Sequence, residues 1–324
     1  MKKLVVMLLT ALLVLGFVGC KTTKPTDKKV VKVGVAIYRF DDNFMTLFRE
    51  ELEAYFKTKN TDTVEYKVTI VDSQGNQETQ TGQIDNFITQ GVDVLIINPV
   101  QNSAAATIVN KAKDANIPIV LINREPENVN DKKIWPGRQT YVGAIAEQSG
   151  RMQGQIIMKQ EKGGDLNGNG KIDYIMIIGD PDNSDARLRT EFSIQELLDN
   201  GVKVNKLAES VCNWQPDQSQ PVVADFLTKF KKGEIDVIFC NNDAMAMGAL
   251  AALEAAGWVV GKDVFLVGVD AIPEAVDAIK NGKLTGTVFN DHIGQSHKAA
   301  DCAIILAGGG TVDEVYYIDY ATVE

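Results

Sequence analysis

The residues of this 324-residue chain that could do chemistry are acids and amides gathered just after short apolar runs. Asp41-Asp42-Asn43-Phe44 and Asn123-Arg124-Glu125 follow two such runs, and Asp180-Pro181-Asp182-Asn183-Ser184-Asp185 follows a third. Asn241-Asn242-Asp243, Asp270 and Asn290-Asp291 close three more. Any one of these positions alone reads as a turn or a helix cap. Their recurrence carries the argument: Asp and Asn return again and again with one Arg, and His and Cys are missing. That composition suits a neutral polyol, whose hydroxyls donate and accept, because a carboxylate accepts, an amide does both, and a guanidinium donates twice in a plane. Phe44 and Trp214 are the aromatics that could cover the C–H faces of a ring.

A second constellation runs from Asp165 through Asn167, Asn169 and Lys171 to Asp173. Oxygen side chains at loop positions 1, 3, 5 and 9, Gly170 at position 6, the Lys171 carbonyl at 7 and Ile172 at 8 match the first part of an EF-hand calcium loop. Position 12 is Met176, so the usual closing acid is missing locally.

The elements that must position these residues follow a steady rhythm. Residues 31–38, 66–71, 94–98 and 119–123 are short, rich in Val and Ile, and end in polar residues, as strands do. Segments 45–56, 77–90 and 103–115 between them have helical spacing. The pattern restarts near Tyr141, with strands at 172–178, 204–209, 237–241 and 264–269 and helices at 145–160, 186–199, 218–230 and 244–256. Such alternation predicts βαβ units and two parallel sheets, each buried on both faces. A further strand at 285–289, a helix at 295–307 and an extended piece at 315–320 follow. The stretch 124–138, with two prolines and a glycine, reads as a crossing between lobes, and 290–294 as a second.

The ends of the chain say where it works. Lys2 and Lys3, an apolar run over 4–18 and Gly19-Cys20 form an export signal, the run being short for a membrane span. Phe17-Val18-Gly19-Cys20 resembles the lipobox of bacterial lipoproteins, with Phe where Leu is usual, so residues 1–20 are expected to be a lipoprotein signal with Cys20 lipidated and 21–30 a tether. Losing the two lysines takes the formal charge from −10 to −12, which with scattered basic residues argues against nucleic acid. Cys212, Cys240 and Cys302 are odd in number and lack paired spacing, so no disulfide framework is indicated. His292 and His297 receive no role.

Four segments make the chain recognisable. Residues 38–45, YRFDDNFM, residues 241–248, NNDAMAMG, residues 267–275, VGVDAIPEA, and residues 286–291, GTVFND, closely resemble the bacterial galactose/glucose-binding periplasmic proteins, and the likeness runs from Val31 to about Tyr320. The resemblance implies an α/β fold of two doubly wound parallel-sheet lobes joined by a three-stranded hinge, the type 1 periplasmic binding protein fold. It implies lobes of 31–139 plus 290–314 and of 140–289 plus 315–324. It also implies a hexose in the cleft, with Asp42 accepting hydrogen bonds, Phe44 and Trp214 stacking on its two faces, and Asn123, Asp185, Arg189, Asn242, Asp270 and Asn290 completing the shell. The family's histidine at one shell position is Asn183 here. Calcium in the 165–173 loop is implied as well, with Asp236 as the distant acid. The implied partners are glucose or galactose, a membrane ABC sugar permease and, as an added role, a chemoreceptor, for a monomer that touches the membrane only through its lipid. Xylose or ribose is the alternative ligand.

Two other classes fit less well. A glycosidase would pair Asp42 with Asp185 or Asp270, but needs one carboxyl kept protonated in an apolar niche, whereas these acids sit beside Asn and Arg. A sugar-responsive repressor needs a helix-turn-helix head, where residues 1–30 offer an export signal.

Overall fold

A computed structural model describes residues 28–324, so the signal segment and Cys20 lie outside the described residues. The first half alternates β1 (Lys29–Ile37), α1 (Asn43–Thr58), β2 (Val64–Asp72), α2 (Gln77–Thr89), β3 (Val94–Ile97), α3 (Ala105–Asp114), β4 (Ile119–Ile122) and β5 (Gln139–Gly143). The second continues with α4 (Ala146–Met158), β6 (Ile172–Ile178), α5 (Ser184–Asp199), β7 (Val204–Val211), α6 (Pro216–Lys229), β8 (Val237–Cys240), α7 (Asp243–Ala255), β9 (Phe265–Val267), α8 (Pro273–Lys280) and β10 (Thr287–Phe289). Then come α9 (His292–Ala307), β11 (Val315–Tyr317) and β12 (Ala321–Val323).

The strands form two sheets. The first has the order β11-β5-β4-β3-β1-β2 with every pair parallel, and the second β7-β6-β8-β9, also parallel. Parallel bridges from Val267 to Gly286 and from Asp270 to Phe289 extend the second sheet to β10, which pairs antiparallel with β12. All four residues of β3, VLII, and of β4, IVLI, are buried, as central strands covered by helices on both faces must be. Each sheet separates two cores: Phe48, Leu52 and Phe56 of α1 pack on one face of the first sheet and Ile84, Phe87 and Ile108 on the other. In the second lobe Met245, Leu253 and Ile272 lie on one side and Ile156, Ile157 and Leu197 on the other. The sequence reading of two doubly wound α/β lobes holds.

The crossings differ from the sequence expectation. Residues 124–138 are not a crossing: they loop through a short 3-10 turn, Val129–Lys132, and return to the first sheet as β5, beside β4. The chain leaves the first lobe after Gly143, so that lobe runs past 139. It returns between β10 and α9, which packs on α1 and over β3, β4 and β5. The third crossing lies between β11, in the first sheet, and β12, against β10, so 315–317 belongs to the first lobe and not the second. Backbone pairing decides these boundaries, and the prolines and charges that suggested a linker only shape a surface loop.

Candidate functional site

The carboxyl ends of both sheets face one another, and the loops leaving them line a narrow polar cavity. All ten residues assigned to the sugar shell from the sequence line it: Asp42, Phe44, Asn123 and Asn290 beside Asn183, Asp185, Arg189, Trp214, Asn242 and Asp270. Tyr38 and Arg124 line it too, and the sequence reading had not placed them in the site. Their signal was position: Arg124 adjoins Asn123 just after β4, and Tyr38 follows β1 four residues before Asp42.

Helix caps fix several of these side chains. Asp42 caps α1 by accepting from Met45 N at 2.8 Å, and the Tyr38 hydroxyl donates to its other oxygen at 2.5 Å. Asn242 caps α7 through Met245 N at 3.0 Å, and Asn183 caps α5 through Asp185 N at 3.0 Å. The cap and a place on the cavity wall are therefore compatible: one oxygen holds the backbone, while the other polar atom meets the Tyr38 hydroxyl in Asp42 and the Trp214 carbonyl in Asn242. Among the described residues the Asn183 Nδ2 has no hydrogen-bond partner and is available to donate.

Backbone strain places three others. Asn123, Trp214 and Asp270 have φ of 60°, 68° and 121°, values that cost a non-glycine residue energy and gather at functional sites. Asn123 is held by Asn98 Nδ2 on its side chain at 3.2 Å and by the Tyr141 hydroxyl on its carbonyl at 2.7 Å. Trp214 lies over Gly179, where a Cβ would come within 2.4 Å of three ring carbons. Asp270 accepts from Asn290 Nδ2 at 3.2 Å, and Asn290 in turn accepts from Gln295 at 2.6 Å.

Charge is concentrated around two buried guanidiniums. Arg189 donates to the Asn241 carbonyl at 2.9 Å and to the Tyr320 hydroxyl at 3.2 Å, and lies 3.6 Å from Asp185 and 3.8 Å from Asp270. Burial opposes its charge, yet Tyr320, Asp270 and Asp185 hold it firmly protonated. Burial raises the carboxyls of Asp185 and Asp270, and Arg189 opposes the rise in both. Arg124, 2% exposed, lies 3.9 Å over the Tyr38 ring, donates to the Val100 carbonyl at 2.6 Å and reaches across the cleft to Asp180 at 3.1 Å. The Nε atoms of both arginines are buried without a partner among the described residues. Buried donors of this kind call for an acceptor, and the cavity is where a ligand would supply it.

The 165–173 loop is a hydrogen-bonded knot. Asp165 accepts from the backbone of Gly168, Asn169 and Gly170. Asn167 Nδ2 donates to both Asp173 and Asp236 at 3.3 Å, Asn169 Nδ2 to Asp173 at 2.7 Å, and Lys171 Nζ pairs with Asp173 at 2.9 Å. Asp236, far off in sequence, thus does meet the loop. Burial raises its carboxyl, with Asp165 and Asp173 adding to the rise and the N–H groups of Asp173 and Asn167 opposing it. Burial also works on Asp173, but donors from Asn205, Lys171, Asn169 and Asn167 win and hold it down at about 2. No three His, Cys, Asp or Glu side chains among the described residues close into a metal-binding cluster.

A family model for a periplasmic binding protein domain matches residues 33–311. The chain belongs to that family. Such proteins bind and do not catalyse, and the family works outside the cytoplasm; among the described residues no helix is long and apolar enough to cross a membrane. The binding protein is 38% identical over 287 residues to the D-galactose/methyl-galactoside binding periplasmic protein MglB of Haemophilus influenzae, covering 87% of this chain and 83% of that one. It is 36% identical to a putative rhizopine-binding protein of Rhizobium meliloti, covering 90% and 89%. Among solved structures, an ABC transporter solute binding protein from Bacillus halodurans with bound myo-inositol superposes with a TM-score of 0.79 at 29% identity, covering 92% of this chain and 95% of that one.

Proposed function

We propose that this chain is the capture component of an ABC sugar importer, closing its two lobes on one D-galactose or D-glucose molecule. The observation that supports it is the single cavity into which Asp42 and Asn123 from one lobe and Arg189, Asn242 and Asp270 from the other all converge. Acids and amides accept and donate to ring hydroxyls, the two arginine Nε groups supply fixed donors, and Phe44 and Trp214 cover the apolar faces. Specificity follows from buried groups left unpaired when a hydroxyl points the wrong way. Asn183, shorter than the family's histidine, puts xylose, ribose and inositol on the list of ligands to test beside the hexoses.

Three further roles belong to the same proposal. The loop oxygens of Asp165, Asn167, Asn169 and Asp173, the Lys171 carbonyl and Asp236 are hard ligands of the kind calcium takes, and the ion would tie the loop to β8 without touching the sugar. Lipid on Cys20 would hold the monomer at the membrane beside its permease. Presentation to a chemoreceptor would use the same closed lobes.

Isothermal titration of the mature protein against D-galactose, D-glucose, D-xylose, D-ribose and myo-inositol tests the central assignment. Galactose or glucose should bind tightest, with one site per chain, and Asp270→Ala and Asn242→Ala should abolish it. Undiminished affinity in both variants, or silence toward all five compounds, would remove the assignment.

A further inference from the structure

Arg189 is held by a residue outside every sequence motif singled out for the site. Tyr320 lies in the third crossing and is buried in the second lobe's core, in the same apolar cluster as Ala144 of the first crossing. Its hydroxyl accepts from Arg189 Nη2 at 3.2 Å, while Arg189 Nη1 donates to the Asn241 carbonyl at 2.9 Å. A guanidinium carries its five N–H groups in a rigid planar fork. Fixing both terminal nitrogens therefore fixes where the unpartnered Nε–H points.

The two anchors have different origins. Asn241 follows β8 inside the second lobe, but Tyr320 belongs to the hinge. Ile318, two residues earlier, donates its N–H to the Gly143 carbonyl at 2.8 Å and so ties the third crossing to the first. A side chain at Gly143 would displace Tyr141, whose hydroxyl lies 2.0 Å from where a Cβ would stand. That same hydroxyl donates to the carbonyl of Asn123 on the opposite wall of the cavity. Contacts thus run from Asn123, through both crossings, to Arg189.

We infer that Tyr320 is a positioning residue for ligand capture: its hydroxyl aims Arg189 into the cavity and ties that arginine to the hinge. The inference rests on the monosaccharide assignment above. Tyr320→Phe keeps the buried ring and removes only the oxygen. A hydrogen bond from a charged group is worth enough that its loss should weaken the tightest-binding sugar about tenfold to a hundredfold. The melting temperature of the ligand-free protein should fall little, because the ring still fills its place. In an Arg189→Lys background, titrated into the millimolar range, Tyr320→Phe should add less than a twofold loss. In a Phe44→Leu background, where the change lies on the other lobe and leaves the Arg189 anchors untouched, its full effect should persist.

The outcomes separate cleanly. If wild-type protein binds none of the five compounds, the sugar assignment fails. If wild-type protein binds and Tyr320→Phe lowers only the melting temperature, with affinity within twofold, Tyr320 is structural and the inference is overturned. An equal loss in the wild-type and Arg189→Lys backgrounds overturns it too, since the hydroxyl would then act through some other group.

Discussion

Adding one methyl group at Gly179 should weaken the pocket without touching a single polar group in it, by displacing the Trp214 ring. A Cβ there would stand 2.4 Å from Cη2, Cζ2 and Cζ3 of Trp214, against an ordinary carbon contact of about 3.5–4.0 Å, so the ring must shift by roughly 1 Å. Neither side gives way easily. Gly179 N donates to Asn241 Oδ1 at 3.0 Å, the preceding Ile178 carbonyl accepts from Cys212 at 2.8 Å, and Trp214 stands on a left-handed backbone. Overpacking of this kind costs about 1–3 kcal/mol, and a displaced ring also forfeits about 0.5–1.5 kcal/mol of stacking. The lost stacking should make Gly179→Ala bind sugar about three- to tenfold more weakly by calorimetry, and the overpacking should make the ligand-free protein melt several degrees lower. In a Trp214→Leu background the same substitution should cost nothing further. Affinity within twofold of wild type, or the same loss with Trp214 absent, would refute the reasoning.

Three other outcomes follow from the geometry. Asp180→Asn removes the cross-cleft partner of Arg124, so affinity should fall about five- to thirtyfold by about the same factor for every sugar tested; a loss confined to one sugar would show that the pair reads ligand and not closure. A calcium chelator should lower the melting temperature of wild type but not of Asp165→Ala, and no chelator effect on wild type would remove calcium from the account. Burial pushes the Asp243 carboxyl up to about 7 despite donors from Thr287 and Ile272, so between about pH 4 and 7 the folded chain holds a proton that the unfolded chain releases. Asp243 should make stability fall as pH rises through that window, by up to about 1.4 kcal/mol per unit, and the profile of Asp243→Asn should be shallower by that contribution; parallel urea-midpoint profiles for the two proteins would contradict it.

Local chemistry was legible in the sequence, and long-range geometry was not. The strand ends could be read because burial on both faces makes each strand a short apolar run, and the polar residues closing it necessarily face the cleft. The helix caps Asp42, Asn183 and Asn242 were visible for the same reason. The stretch 124–138 misled because prolines and charge mark a surface loop equally well whether it joins two strands of one sheet or two lobes. Only the pairing of Gln139–Gly143 with Ile119–Ile122 settles which. Tyr141, Tyr320 and Gly179 left no local signal. Their importance comes from what crosses them in space, the Asn123 carbonyl, the Arg189 guanidinium and the Trp214 ring. Arg124 was legible only as a neighbour of Asn123, because nothing beside it in sequence announces Tyr38 beneath it or Asp180 across the cleft.

A crystal structure of the mature protein grown with D-galactose, or with whichever of the five compounds binds tightest, bears most directly on the whole account. One ring should lie between Phe44 and Trp214, with oxygens within hydrogen-bonding distance of Asp42, Asn242, Asp270 and Arg189 Nε. A sugar bound anywhere else, or an occupied cleft in which Arg189 Nε still lacks a partner, would contradict it.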